Sequence, residues 1–202
     1  MGRTPVRVRF LGSGDAFGSG GRLQTCILLE SEGFRCLVDC GASSLIAGPP
    51  GLTERVTQAM EVFFPGSSRA QRKFATEFLE LAEGTPATMG AVRVTPYEVV
   101  HACGAPPYAL RIELDGRTIA YSGDTEWTDR LILVAEGADL FICEAYFYDK
   151  AVRFHLDYTT LARHRSELGY KRLIVTHMGP DMLARVAELP VEAAHDGLEV
   201  SL

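Results

Sequence analysis

Apolar and charged residues alternate along VRVRFLG at positions 6–12, the two-residue period of a strand with one buried and one solvated face. TCILLE and FRCLVDCG read as two further strands joined by a turn at residues 31–33, so three strands with hairpin-like links open the chain. The glycine-rich stretch SGDAFGSGGR between the first two lacks the spacing of a dinucleotide fingerprint, and no helix follows it. The period then changes. Val56, Met60, Phe63 and Phe64 fall at helical spacing and predict a helix over 53–64; Phe74, Phe78 and Leu81 predict another over 70–82. Both apolar stripes read as core contacts. Strands return in AVRVTPYEVVH, ALRIELDG and RTIAYSGD, with Asp115-Gly116 as a tight hairpin turn. Helices over 128–136, 158–168 and 181–189 then alternate with the strands ADLFICEA, RLIVTH and GLEVSL. This order predicts an α/β fold in which two sheets pack together with helices outside.

Composition narrows the class. A chain of 202 residues forms one domain, or two small halves sharing a core, and an apolar fraction of 47% is enough to fill it. No run of 18 apolar residues exists to span a membrane. The start, MGRTPVRVRF, has no signal-peptide apolar region, and five cysteines, an odd number, predict a reducing, cytoplasmic setting without a disulfide framework. Cys36 and Cys40 share one face of a strand end and read as small buried residues rather than metal ligands. The net charge of −6 argues against a nucleic-acid partner, which demands a basic face.

The candidate chemistry centres on TIAYSGDT at 118–125. Thr118 to Tyr121 read as a short buried strand, Ser122 and Gly123 turn the backbone, and Asp124 stands where the strand stops. Asp124 either caps the next helix or does chemistry. Of five histidines, His101 and His177 end strands and His155 lies in the loop RFHLDY; His164 reads as a solvated helix residue and His195 as a turn residue. Two histidines and one aspartate at the ends of separate buried strands suit Zn²⁺, Mn²⁺ or Fe, whose ligands are imidazole nitrogen and carboxylate oxygen. The competing reading makes each histidine a hydrogen-bonded strand-end residue.

FLGSGDAFGSGGRLQTC, LVDCG, VVH at 99–101, YSGDT, ICEA and LIVTHM, in this order, resemble the metallo-β-lactamase-fold hydrolases, and among them the ribonuclease Z and phosphodiesterase branch. The resemblance covers nearly the whole chain. It implies one domain over 1–202 with the αββα sandwich of that fold. By the same resemblance His101, Asp124 and His177 are metal ligands, with Asp124 the bridging carboxylate and Asp39 supporting the metal loop from behind. Glu144 orients a general-acid histidine, which His155 supplies. The catalytic set is then His155, Glu144 and Asp124. The implied substrate is a small phosphodiester or another ester.

One element of the family pattern is missing. The His-x-His-x-Asp-His run belongs between Gly41 and Ala47, where this sequence holds only Ala42 to Ile46. The fold is thus expected to be truncated in its N-terminal half, with one Zn²⁺ (or Mn²⁺ or Fe) at most, and to expose apolar faces that a homodimer would cover. The alternative is a catalytically inactive deletion variant acting as a scaffold or oligomerising protein.

Overall fold

The computed structural model describes residues 5–15, 19–32, 34–39, 47–69 and 78–202. The chain opens with β1 (Arg7–Gly12), β2 (Cys26–Ser31) and β3 (Phe34–Val38), which pair antiparallel in sequence order, and β13 (Glu199–Ser201) closes against β1 to make a four-stranded sheet. The alternation of β1 is realised: Val8 and Phe10 are buried, while Arg7 and Leu11 face outward.

The second sheet has seven strands in the order β12-β11-β10-β9-β8-β7-β6. These are β6 (Ala87–Met89), β7 (Val92–Glu98), β8 (Tyr108–Leu114), β9 (Arg117–Tyr121), β10 (Leu140–Glu144), β11 (Leu173–Thr176) and β12 (Glu192–Ala193). From β6 to β9 the pairing is antiparallel, and from β9 to β12 it is parallel. Asp115 and Gly116 both adopt left-handed φ, at 49° and 72°, as a type I′ hairpin turn between β8 and β9 requires.

β10 and β11 are buried along their whole length, the mark of parallel strands covered on both faces. The side-chain period of two then sorts their residues between two cores. Ile119, Leu140, Ile142 and Ile174 point into the layer between the sheets, against Val8, Phe10, Ile27 and Leu29. Ala120, Phe141, Cys143 and Val175 point the other way, against Leu131, Val134 and Leu161. The last three come from the short helices α2 (Arg130–Ala135) and α3 (Tyr158–His164), and Met182 of a further helix, Pro180–Leu183, joins them.

The helical segments depart most from the sequence pattern. The helix expected over 53–64 is α1 (Leu52–Phe63), but none of its residues is buried, and Val62, Phe63 and Phe64 are three-quarters exposed. A helical stripe reports periodicity, and whether a neighbouring layer covers it is decided elsewhere in the chain. The helix expected over 70–82 lies outside the described residues for 70–77. Its end is corrected: β5 (Leu79–Glu80) pairs parallel with β4 (Ala47–Gly48), and Leu81 then enters the core. The helix expected over 181–189 is two pieces, α4 (Pro180–Leu183) and a 3₁₀ turn at Val186–Glu188. Cys40 and residues 41–46, the place of the missing histidine-rich run, also lie outside the described residues.

Candidate metal centre

The site forms at the carboxyl ends of β9, β10 and β11, the edge where open α/β sheets place ligands. At the end of β9, Gly123 takes φ 60°, and a Cβ there would stand 2.9 Å from the Tyr108 carbonyl oxygen, so only glycine lets the chain turn this sharply. Asp124 follows at once. It caps no helix: α2 starts at Arg130, behind Asp129. Asp124 Oδ1 instead lies 3.5 Å from Nδ1 of His177.

His177 follows β11 with φ 57°, a conformation disfavoured for a side chain with a Cβ, and the buried surroundings hold it. Its amide donates to the carbonyl of Ser13 at 3.2 Å. Ser13 in turn donates through N and Oγ to one oxygen of Asp196, at 3.0 and 2.9 Å, while Leu23 N donates to the other at 2.9 Å. Ser13, which follows β1, is therefore the seat of His177.

Glu144 ends β10 and is 1% exposed. Its Oε1 accepts from the Thr125 amide, and its Oε2 lies 3.0 Å from Nδ1 of His155. Thr125 also accepts the Val100 amide on Oγ1 at 3.0 Å, and Glu126 N donates to the Val100 carbonyl at 3.1 Å. The Glu126 carboxylate accepts the Phe154 amide at 2.8 Å, and the Phe154 carbonyl, at φ 70°, lies 3.1 Å from Nδ1 of His101. The stretch after β9 thus fastens the segments that carry His101, Glu144 and His155.

These bonds fix tautomers. Nδ1 of His101 faces a carbonyl oxygen and Nδ1 of His155 faces a carboxylate, so each donates there and leaves the Nε2 lone pair free. Burial pushes the His177 pKa down against the pull of the Asp124 charge, which favours the neutral imidazole that a metal needs. Ligand atoms of His101, Asp124 and His155 lie within 4.8 Å of one another, as do those of Glu144, His155 and His177. Three imidazoles and two carboxylates, with the Nδ1 edges of two histidines already satisfied, fit a divalent metal.

Burial lifts the Glu144 carboxyl to about 7, although the hydrogen bond with His155 opposes it. The same hydrogen bond raises the His155 pKa against burial. The two groups face each other across one proton and titrate as a coupled pair. Behind the site, Tyr121 donates to Asp39 Oδ2 at 2.7 Å; burial raises the Asp39 carboxyl while this bond lowers it, and Asp39 has φ 48°.

All sequence-predicted site residues converge here. Asp39 stands behind, through Tyr121. His155 stands closer than its loop position implied, within reach of both ligand groups. The pattern did not reveal Thr125, Glu126, Ser13 or Asp196, since each acts through long-range contacts that carry no local period. His164 is not simply solvated: its ring stacks on Trp127 at 4.0 Å and its Nδ1 lies 2.8 Å from Glu167.

A family model described as a beta-lactamase superfamily domain matches residues 33–178. The chain belongs to the metallo-β-lactamase superfamily. It is 35% identical to an uncharacterized protein of Mycobacterium leprae over 102 residues, 48% of this chain and 35% of that protein. It is 34% identical to the ribonuclease Z of Natronomonas pharaonis over 126 residues, 60% of this chain and 35% of that enzyme. The matched stretches thus span about a third of these curated relatives. In fold it is similar to the metallo-beta-lactamase fold protein YhfI from Bacillus subtilis (TM-score 0.74, 21% identity, 98% of this chain and 100% of that one). It is likewise similar to a diphosphatase from the PhnP family (TM-score 0.74, 16% identity, 98% of each chain). The Zn²⁺-bound PqqB of Methylobacterium extorquens also shares the fold (TM-score 0.75, 14% identity, 97% of this chain and 100% of that one). Members of this metallo-hydrolase family use a divalent metal.

Proposed function

We propose that this chain, one domain over 1–202, is a metal-dependent hydrolase of phosphodiester or related ester bonds. The carrying observation is the 3.0 Å contact between His155 Nδ1 and a buried Glu144, beside His101, Asp124 and His177. His101, Asp124 and His177 would hold the metal, with His155 in reach. The nitrogen and oxygen donor set and the fold shared with a Zn²⁺-bound protein support Zn²⁺, ahead of Mn²⁺ or Fe. A divalent ion supplies Lewis acidity and lowers the pKa of bound water.

The chain's own residues do the rest. Asp124, close to both His101 and His177, positions the ligand set. Glu144 holds the proton of His155 on Nδ1 and steadies the ring. His155 carries a proton on Nε2 when charged and delivers it to the leaving oxygen as the ester bond breaks. The hydrogen bond to Glu144 raises the His155 pKa and so favours the charged imidazole that donates the proton.

A small phosphodiester is the substrate favoured by the −6 charge; RNA is the rival, because relatives are named ribonuclease Z. Free thiols at Cys103 and Cys143 support a cytoplasmic setting. No helix among the described residues is long and apolar enough to cross a membrane. With no His-x-His-x-Asp-His run in the sequence, we infer one ion per chain and impaired turnover. The test is hydrolysis of bis(p-nitrophenyl) phosphate and of a short RNA after loading with zinc or manganese, with elemental analysis. Metal at one ion per chain and turnover lost in His155→Ala are expected. No turnover with any metal refutes the hydrolase reading, and two ions per chain refute the incomplete site.

The exposed Val62, Phe63 and Phe64 favour a second reading, a non-catalytic scaffold or homodimer. A dimer by light scattering that binds no metal and turns nothing over is its signature.

A further inference from the structure

Tyr146 stands two residues beyond Glu144 and has no role in the scheme above. Its ring lies 4.7 Å from that of His155 and 5.8 Å from that of His177, and Phe147 meets it edge-on at 4.7 Å. Gly179 shuts it in from the other side. The Gly179 amide donates to the Tyr146 carbonyl at 2.9 Å, and a Cβ on residue 179 would come within 3.3 Å of the ring. The ring is therefore fixed against the two site histidines.

The hydroxyl has no such fixture. It makes no hydrogen bond to any described residue, although Tyr146 is only partly exposed and the other tyrosine near the site, Tyr121, donates to Asp39. The hydroxyl oxygen is not buried, so it is accessible to a group that enters beside the two histidines. A bound oxyanion would supply a partner.

Resting on the hydrolase reading, we propose that Tyr146 is a further catalytic residue, whose hydroxyl donates a hydrogen bond to a non-bridging oxygen of the substrate's phosphoryl group as negative charge builds there. The proton stays on the phenol throughout, and the phenol oxygen forms no covalent bond, while the ester bond breaks to the leaving oxygen that His155 protonates. A preorganised donor aimed at developing charge acts mainly in the transition state.

Tyr146→Phe is the test, because it keeps the ring and removes only the donor. In metal-loaded protein, kcat for bis(p-nitrophenyl) phosphate falls about ten- to hundred-fold, KM moves less than about twofold, and melting temperature and metal content match wild type. A kcat within twofold of wild type overturns the proposal. Orthovanadate binding to the metal-loaded proteins, followed by calorimetry, gives a readout that does not depend on turnover. Wild type binds it about tenfold more tightly than Tyr146→Phe; equal affinity, or binding by neither, overturns the proposal. Absence of wild-type turnover refutes the hydrolase reading, and the vanadate comparison still decides Tyr146.

Discussion

Oε2 of Glu144 sits 3.0 Å from Nδ1 of His155, and Glu144 is 1% exposed. A buried carboxylate bound to an imidazole fixes which nitrogen faces outward. Glu144→Gln removes the charge that holds the His155 proton, so kcat falls by about 10²-fold or more. The charged acceptor raises the His155 pKa, and its loss lowers it. The alkaline limb of the kcat–pH profile, where the acid form of His155 is lost, shifts to lower pH in this variant. An unshifted limb assigns the acid role elsewhere.

Metal retention distinguishes the ligands. Asp124→Ala and His177→Ala each lose the ion on dialysis, as elemental analysis reads it. His155→Ala keeps the ion, because its Nδ1 faces Glu144 and its Nε2 serves as the proton donor rather than as a ligand. Full occupancy in both the Asp124 and His177 variants rejects the assignment.

Glu126 touches no candidate ligand, yet its carboxylate holds the Phe154 amide at 2.8 Å, and Phe154 faces His101 through its carbonyl. A hydrogen bond to a charged acceptor contributes ~1.5–3 kcal/mol. Glu126→Ala therefore speeds amide exchange at Phe154 by about tenfold or more while Leu140 to Glu144 stay protected. Equal protection at Phe154 disproves the tether.

The two apolar sets separate in stability. Phe141→Ala, at a position with no exposure, costs about 3–5 kcal/mol in urea denaturation. Phe63→Ser, at a residue 75% exposed, changes stability by no more than about 0.5 kcal/mol. A large cost at Phe63 reveals a covering layer, such as a second copy.

Asp139 gives a test of pH dependence away from the site. Burial works to raise its pKa, but hydrogen bonds from Lys171 at 2.8 Å, the Thr118 amide at 2.9 Å and Arg117 at 3.3 Å outweigh it and hold the carboxyl below its ordinary value. The unfolded chain then binds more protons than the folded one between the two pKa values, so stability rises with pH there. The advantage of wild type over Asp139→Asn is full above about pH 4 and shrinks as pH falls through the lowered folded value. A difference that grows toward acid contradicts the ion pairing.

The sequence by itself determined most of the scaffold and named the side chains that the structure brings together. Period-two alternation placed β1, the fully apolar runs marked the buried β10 and β11, and Asp115-Gly116 fixed a hairpin. These signals are local: a side-chain period or a turn dihedral is settled within a few residues. Asp124, His101 and His177 stood out as candidates because each follows a recognisable strand, and the resemblance to the metallo-β-lactamase-fold hydrolases singled them out as ligands. Tertiary structure alone decided three other matters. The exposure of α1 depends on whether another layer lies over it, and no stripe encodes its own partner. The reach of His155 depends on Glu144 and on Phe154, held by Glu126 from 28 residues away along the chain. The left-handed turn of His177 depends on Ser13, held by Asp196 from the far end of the sequence. Local pattern names the side chains that can do chemistry; contacts between distant segments set where those side chains point.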